Sequence, residues 1–159
     1  MVKNDMLVHL LKLPPQEASL NTLPEDIIIR RAQPWELSAV RDFAEKEFTR
    51  SWADELSVGF ARQPVSVFIA IKQGKVIGFA GYECTRRGFF GPTGLTPDAR
   101  GKGIGKALLI AALHGLREMG YAYGIIGSAE NTSYYASAVG AIEIEDSAPG
   151  IYANPLRKD

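Results

Sequence analysis

The chain has 159 residues, 46% of them hydrophobic and 23% charged, which is typical of one globular domain. Its 18 basic and 18 acidic residues balance, so the composition predicts no general attraction to nucleic acid or to an anionic membrane. The single cysteine, Cys84, rules out an intrachain disulfide and a cysteine-based zinc site, and we expect no bound metal.

The first part of the chain is the hardest to interpret. It lacks the apolar core and small-residue cleavage site of a signal peptide, and no apolar run approaches the about 20 residues that span a bilayer, so we expect a cytoplasmic protein. Residues 6–13 predict a short helix or a strand that ends at Pro14 and Pro15. We interpret residues 1–24 as an N-terminal extension that packs on the body or on a partner chain, and residues 25–159 as one domain.

The start of this domain predicts one strand followed by two helices. Residues 26–32 are rich in β-branched side chains, which suit a pleated strand. Pro34 suits the first position of a helix that extends to Glu47, with Trp35 and later apolar residues at helical spacing. Ser51 is predicted to cap the second helix.

The middle of the chain predicts three strands. Residues 65–72 and 76–84 are apolar runs separated by a tight turn at residues 73–75. Residues 89–95 predict the third strand, and Pro92 within it indicates an edge or a bulge because proline has no main-chain donor. The remaining predicted elements are a helix over residues 103–119, a strand over 121–128, a helix over 132–139 capped by Asn131, and strands over 141–145 and 151–153.

Residues 100–106 are a glycine-rich turn where the long helix is predicted to begin. Its glycines are Gly101, Gly103 and Gly105, and its cations are Arg100, Lys102 and Lys106. The first N–H groups of a helix have no partner within the helix and lie at the positive end of its dipole. Glycine permits close approach of a ligand and positive φ at little cost. Together these features predict an anion site, most plausibly for phosphate or pyrophosphate.

Two common phosphate-binding motifs do not fit this spacing. The P-loop pattern G-x-x-x-x-G-K-[ST] would place Arg100 at the first glycine and Ala107 at the hydroxyl position. The dinucleotide pattern G-x-G-x-x-G would place its last glycine on Lys106 or Leu108. The sequence therefore argues against both classes of nucleotide-binding protein.

The pattern Arg100-x-x-Gly103-x-Gly105 instead resembles the R/Q-x-x-G-x-G/A signature of the GCN5-related N-acetyltransferase (GNAT) family, whose members bind acetyl-coenzyme A. Residues 95–97 resemble the V-x-P with which the fourth strand of that family often ends. The positions similar to the downstream N…(F/Y)Y…GF segment of the family are Asn131, Tyr134, Tyr135 and Gly140. The resemblance covers about residues 26–156 in the expected order.

This resemblance implies an α/β (α+β) GNAT fold. The expected core is a mixed, mostly antiparallel sheet of about seven strands flanked by helices, with a splay between the fourth and fifth family strands. The resemblance also implies that acetyl-coenzyme A is the co-substrate. The residues implied to bind it are Leu95, Thr96, Arg100, Gly101, Lys102, Gly103, Ile104, Gly105, Lys106 and Asn131.

Tyr135 is the catalytic residue that the resemblance implies, as the acid that protonates the leaving thiolate. Four residues separate Tyr135 from Gly140, where the family usually has three. An extra helical residue reconciles the two patterns; otherwise Tyr134 faces the coenzyme sulfur.

The general base stays open. Many relatives carry a glutamate in the fourth strand, but residues 89–91 contain no carboxylate. The alternatives are a water chain, an acceptor amine that is already neutral, or another acidic side chain. The acidic candidates are Glu83, Glu143, Glu145 and Asp146.

The resulting hypothesis is an N-acetyltransferase that moves an acetyl group to a primary amine by direct attack in a ternary complex. The acceptor is a small-molecule amine or the amine of a peptide or protein, with Trp52 and Glu47 as candidate contacts. The alternative is a non-catalytic acyl-CoA-binding sensor or interaction module on the same fold. We expect no nucleic-acid or membrane partner, and residues 1–24 are a candidate segment for a homodimer contact.

Overall fold

Strands and helices alternate through most of the chain. The computed structural model describes residues 1–157. Its strands are β1 Met6–His9, β2 Ile27–Arg31, β3 Val67–Lys72, β4 Lys75–Tyr82, β5 Phe89–Leu95, β6 Tyr123–Ile126 and β7 Ile142–Glu143. Its α-helices are α1 Gln16–Leu20, α2 Leu37–Glu47, α3 Arg50–Phe60, α4 Ile104–Glu118 and α5 Thr132–Val139.

The seven strands form one sheet in the order β2-β3-β4-β5-β6-β1-β7. Every pair is antiparallel except β5 and β6, which are parallel. The β3–β4 hairpin turns at Gln73 and Gly74, whose φ angles of 51° and 74° match the turn that best follows the twist of two strands. The prediction of a mixed, mostly antiparallel sheet is confirmed.

Strand β5 is irregular on both of its sides. Along β4, Ala80 pairs with Thr93 and Tyr82 with Phe90, so two β5 residues, one of them Pro92, lie opposite a single β4 residue. This is the bulge that the proline predicts. On the other side β5 pairs with β6 only at Phe89 and Phe90. Beyond Phe90 the two strands separate, which agrees with the predicted splay.

The N-terminal strand lies inside the sheet, between β6 and β7. Met6 pairs with both Ile126 and Glu143. Residues 6–13 combine the two predicted alternatives, because β1 is followed by a 3₁₀ helix, Leu10–Lys12. Since β1 takes the place next to β6, later strands can add only at the outer edge of the sheet.

The predictions for the C-terminal strands were largely wrong. The strand predicted over residues 141–145 is reduced to β7, and residues 151–153, predicted as a strand, lie at a 3₁₀ helix, Gly150–Tyr152. Asp146 and Gly150 have φ of 56° and 54°, which breaks the extended chain between the two segments.

The helices cover both faces of the sheet. Helix α4 packs on one face and is itself covered by α1, so it is buried almost all round. The inward residues Ala107, Leu108, Ala111, Ala112 and Leu116 are all buried, as are Leu109, Ile110 and Leu113. Helices α2 and α3 cover the other face through a second core cluster.

Two local predictions in the α2–α3 region were wrong. Trp35 does not belong to the apolar face of a helix, since it lies in a 3₁₀ helix, Pro34–Glu36, and is 79% exposed. The cap of α3 is Thr49 and not Ser51, because the Thr49 hydroxyl accepts the hydrogen bond from the Trp52 N–H at 3.1 Å.

Candidate active site

The glycine-rich loop leads directly into α4. Gly101 and Gly103 have φ of 80° and 81°, a conformation that side chains with a Cβ rarely adopt. The first hydrogen bond of the helix joins the Ala107 N–H to the Gly103 carbonyl at 3.1 Å. The N–H groups of residues 104–106 therefore have no partner within the helix and lie at its positive end.

A cavity of about 540 Å³ opens beside this loop, and we call it the loop cavity. It extends from the start of α4 to α5 and the separated end of β5. The sequence-predicted residues that line it are Leu95, Arg100, Gly101, Gly103, Gly105, Lys106, Asn131 and Tyr135. Segments far apart in the chain thus meet around one space.

Three other predicted residues face away from the loop cavity. Ile104 is buried in the core, with 1% of its surface exposed. Thr96 donates its N–H to the Ile77 carbonyl at 2.9 Å, and with Lys102 it lines a separate small cavity of about 50 Å³. Their side chains point to the opposite side of the loop.

A second cavity of about 650 Å³ fills the space between the separated ends of β5 and β6, and we call it the wedge cavity. Its walls include α3, the segment after β6, and residues 1–2. The residues that line both cavities are Trp52, Phe90, Thr93, Asn131 and Tyr135. The two cavities therefore adjoin at this group of side chains.

Helix α5 places two tyrosines differently. Its cap is Asn131, as predicted, whose side chain accepts a hydrogen bond from the Tyr134 N–H at 3.3 Å. Tyr135 lines both cavities, whereas Tyr134 lines only the loop cavity. Burial, with a smaller contribution from Tyr134, raises the pKa of Tyr135 to about 12. Its hydroxyl is therefore protonated at neutral pH.

The carboxylate candidates from the sequence lie outside both cavities. Glu83 is 3% exposed, and its two oxygens accept hydrogen bonds from the Gly88 N–H and the Tyr121 hydroxyl, each at 2.7 Å. It stabilises the turn before β5. Glu143, Glu145 and Asp146 line neither cavity in the described chain.

The carboxylates that line the wedge cavity among the described residues are Glu55 and Glu130. Glu55 belongs to α3, and one of its oxygens accepts a hydrogen bond from the Thr85 hydroxyl at 2.5 Å. Glu55 was not among the site residues predicted from the sequence. The available signal was its position three residues after Trp52, because residues three apart share a helix face.

Comparison with known proteins places this architecture in a family. Residues 29–139 match the model of the Acetyltransferase (GNAT) family, which is more than half of the chain. The chain belongs to the GNAT family. No functionally curated protein matches the sequence.

Solved structures agree with the GNAT fold. One is the GCN5-related glucosamine N-acetyltransferase region of a fungal multi-domain GH3 β-N-acetylglucosaminidase, with a TM-score of 0.71 at 17% identity. The match covers 91% of this chain and 20% of the fungal chain. A GCN5-related N-acetyltransferase from Sphaerobacter thermophilus has a TM-score of 0.66 at 20% identity, and the match covers 91% of this chain and 50% of that protein. A GNAT acetyltransferase from Colwellia psychrerythraea has a TM-score of 0.62 at 18% identity, and the match covers 90% of this chain and 53% of that protein. The chain thus spans between a fifth and about half of these proteins.

Two further properties of this GNAT chain concern its described residues. None of their helices combines the length and the apolarity that crossing a membrane requires. Both histidines lie outside the two cavities: His114 Nε2 donates to the Pro14 carbonyl at 2.8 Å, and the His9 ring packs edge-on against Tyr123.

Proposed function

We propose that this GNAT protein is an acetyl-coenzyme A-dependent N-acetyltransferase that acts on a primary amine by direct attack in a ternary complex. The observation that supports this most strongly is that the loop and wedge cavities adjoin at Tyr135. One cavity suits the coenzyme and the other the acceptor, so the two reactants meet without a covalent enzyme intermediate.

The loop cavity has the donors that a pyrophosphate needs. Arg100 and Lys106 supply positive charge, and the N–H groups of residues 104–106, which have no partner within the helix, lie in the first turn of α4. Beyond Phe90, β5 has no partner strand on its β6 side within residues 1–157, so its main-chain groups are available to the amides of a pantetheine arm.

Acetyl-coenzyme A supplies the acetyl thioester. The cavities hold the amine nitrogen next to the carbonyl carbon, and this proximity supplies most of the rate acceleration. A main-chain N–H near Leu95 stabilises the oxyanion that forms. The new C–N bond replaces the C–S bond, and the Tyr135 hydroxyl donates a proton to the thiolate. The proton that the amine releases returns to Tyr135, directly or through solvent, so the hydroxyl is restored.

One observation is also consistent with a second function. Residues 89–91 of β5 carry no carboxylate, and the buried Glu83 already accepts two hydrogen bonds. A β5 strand without a carboxylate suits a non-catalytic acyl-CoA sensor as well as an enzyme whose acceptor is neutral when it binds.

The first test is thermal unfolding with acetyl-coenzyme A, NAD or ATP. A ligand at about 100 times its dissociation constant adds about 2.7 kcal/mol of stability. We expect acetyl-coenzyme A alone to raise the unfolding temperature, and Arg100→Ala and Lys106→Ala to weaken this effect. Lys102→Ala is the matched control, because it removes the same charge from the other side of the loop. A response to NAD or ATP alone would overturn the assignment of the loop.

The second test is thiol release with a panel of amines, which includes glucosamine because one structural relative is described as a glucosamine N-acetyltransferase region. Turnover of any primary amine supports the enzyme. Tight coenzyme binding with no turnover across small amines, peptides and protein lysines favours the sensor.

A further inference from the structure

We propose that the acceptor is an aliphatic amine with a second positive charge, and that Glu55 holds this second cationic group. The inference rests on the proposed function, since it concerns the acceptor side of the same site. It depends on the position of Glu55 along α3, on its partners, and on the charge and shape of the wedge cavity.

Glu55 lies beyond the point where the two cavities adjoin. Trp52 lines both cavities, but Glu55, one helical turn further along α3, lines only the wedge cavity. Three residues of an α-helix advance about 4.5 Å. A group bound at Glu55 therefore lies away from the junction of the two cavities at Tyr135, and an aliphatic chain with an amine at each end can extend from one position towards the other.

The Glu55 carboxylate is oriented but has no cationic partner among residues 1–157. The Thr85 hydroxyl fixes one oxygen, while no donor from residues 1–157 contacts the other. None of the ion pairs formed by the described residues includes Glu55. A partly buried carboxylate without a counter-charge is electrostatically unfavourable, so a cationic ligand gains from binding there.

The rest of the wedge cavity suits the same ligand. No lysine or arginine side chain of the described chain lines it. Glu130 adds a second negative charge, so the two carboxylates outnumber the one cationic group of the described lining, the Met1 amino group. Aromatic rings from Trp52, Phe90 and Tyr152 line its walls. Such rings pack against methylene groups and attract ammonium groups through cation–π interactions.

The test compares diamines with monoamines of equal length, such as 1,6-diaminohexane with hexylamine, by thiol release. We expect wild-type kcat/KM to favour the diamine by about 10- to 100-fold, well beyond the twofold statistical advantage of two amines, because a charge-assisted hydrogen bond is gained. Glu55→Gln should remove this preference by raising KM for the diamine, with kcat and the monoamine KM unchanged within about twofold.

Matched variants separate this role from a structural one. Asp54→Asn removes a charge from the neighbouring position on α3, where the side chain is 65% exposed and paired with Arg41, and it should leave the preference intact. Thr85→Val should reduce the preference for the diamine less than Glu55→Gln does. In the double variant, Thr85→Val should add little to the effect of Glu55→Gln. Unfolding temperatures identify any variant that fails to fold, and Glu55→Asp then serves as the second variant.

Three outcomes would overturn the inference. An equal loss of kcat for both amines in Glu55→Gln would make Glu55 a general base. If wild-type kcat/KM is equal for the two amines, a dicationic acceptor is excluded. The same holds if neither amine is turned over while acetyl-coenzyme A still stabilises the protein. Both outcomes leave the coenzyme assignment intact. Failure of the coenzyme itself to bind would instead refute the proposed function.

Discussion

Gly94 of β5 lies directly under the ring of Phe48, at the end of α2. A Cβ built on Gly94 would fall 2.5 Å from the Phe48 Cζ. The ring has little room to move, because it stacks on the Trp52 ring and meets the Phe79 ring edge-on, with centroid distances of 5.3 Å and 5.5 Å. Phe48 and Trp52 both line the loop cavity, so the absence of a side chain at Gly94 sets the shape of that cavity.

Gly94→Ala is therefore expected to displace Phe48 and destabilise the protein. Overpacking of this kind costs about 1–3 kcal/mol. We expect a lower free energy of unfolding in urea and weaker stabilisation by acetyl-coenzyme A. Phe48→Leu should restore part of the stability in the double variant, because the smaller side chain leaves room for the methyl group.

Gly105→Ala is the matched control for stability. Its Cβ would meet only Leu95 Cδ2, at 3.9 Å, which is ordinary contact, and alanine favours a helix over glycine by about 1 kcal/mol. It should unfold at the same or a higher urea concentration. Equal destabilisation by both substitutions would show that steric contact with Phe48 is not the cause.

Local chemistry was sufficient to predict much of the fold. Pro92 predicted a bulge because proline lacks a donor, and Gly101 and Gly103 predicted a turn because only glycine adopts positive φ at little cost. The position of β1 could not be predicted, since it depends on its pairing with residues 123–126, over 110 positions away. The last predicted strand failed for a local reason, because Asp146 and Gly150 have positive φ and break the extended chain before it.

The site was predictable only in part. The loop residues follow one another in the chain, so one motif identifies them together. Glu55, Thr85 and Tyr152 come from three separate segments, and only the folded sheet brings them to one cavity. The motif also cannot tell which side chains line the cavity: Lys106 lines the loop cavity, whereas Lys102 lines the small cavity on the other side of the loop.

Glu83→Gln should destabilise the protein without lowering kcat. Both oxygens of the buried carboxylate accept hydrogen bonds, and a glutamine amide offers one acceptor oxygen and one donor group, so one of the two donors loses its partner. The expected loss is about 1–3 kcal/mol in urea unfolding. Glu45→Gln, at an exposed position on α2, is the control and should stay within about 0.5 kcal/mol of wild type. A wild-type stability for Glu83→Gln would show that the carboxylate does not hold the turn.

Stability should fall steeply at alkaline pH. Burial raises the pKa of Tyr135 to about 12 and raises those of Tyr134 and Tyr152, and the bond to Glu83 raises that of Tyr121. Because folding favours the neutral phenols, their contribution to the free energy of unfolding is complete at pH values below about 10, the pKa of a tyrosine in the unfolded chain. This contribution is lost as the pH rises through the pKa values of the folded state. Tyr135, the most buried of the four, contributes a slope of up to about 1.4 kcal/mol per pH unit, and the more exposed tyrosines contribute less because solvent screens them.

This pH dependence can be measured by urea unfolding between about pH 8 and about pH 11.5, a range set by these pKa values. Tyr135→Phe should make the alkaline slope shallower. Tyr123→Phe, which removes a hydroxyl from a residue that is 58% exposed, is the control for the loss of a phenol. The same slope for Tyr135→Phe and wild type would contradict the burial of the Tyr135 hydroxyl.

Tyr135→Phe is also the substitution that tests the assignment of the general acid. A general acid contributes about 10²- to 10⁴-fold to a rate, so we expect kcat to fall at least about 100-fold while coenzyme affinity stays within about twofold. Tyr134→Phe should lose far less, because Tyr134 lines only the loop cavity. A larger loss for Tyr134→Phe would assign the acid to that residue. An unchanged kcat in both variants would mean that solvent protonates the thiolate, and that Tyr135 serves only as part of the wall between the two cavities.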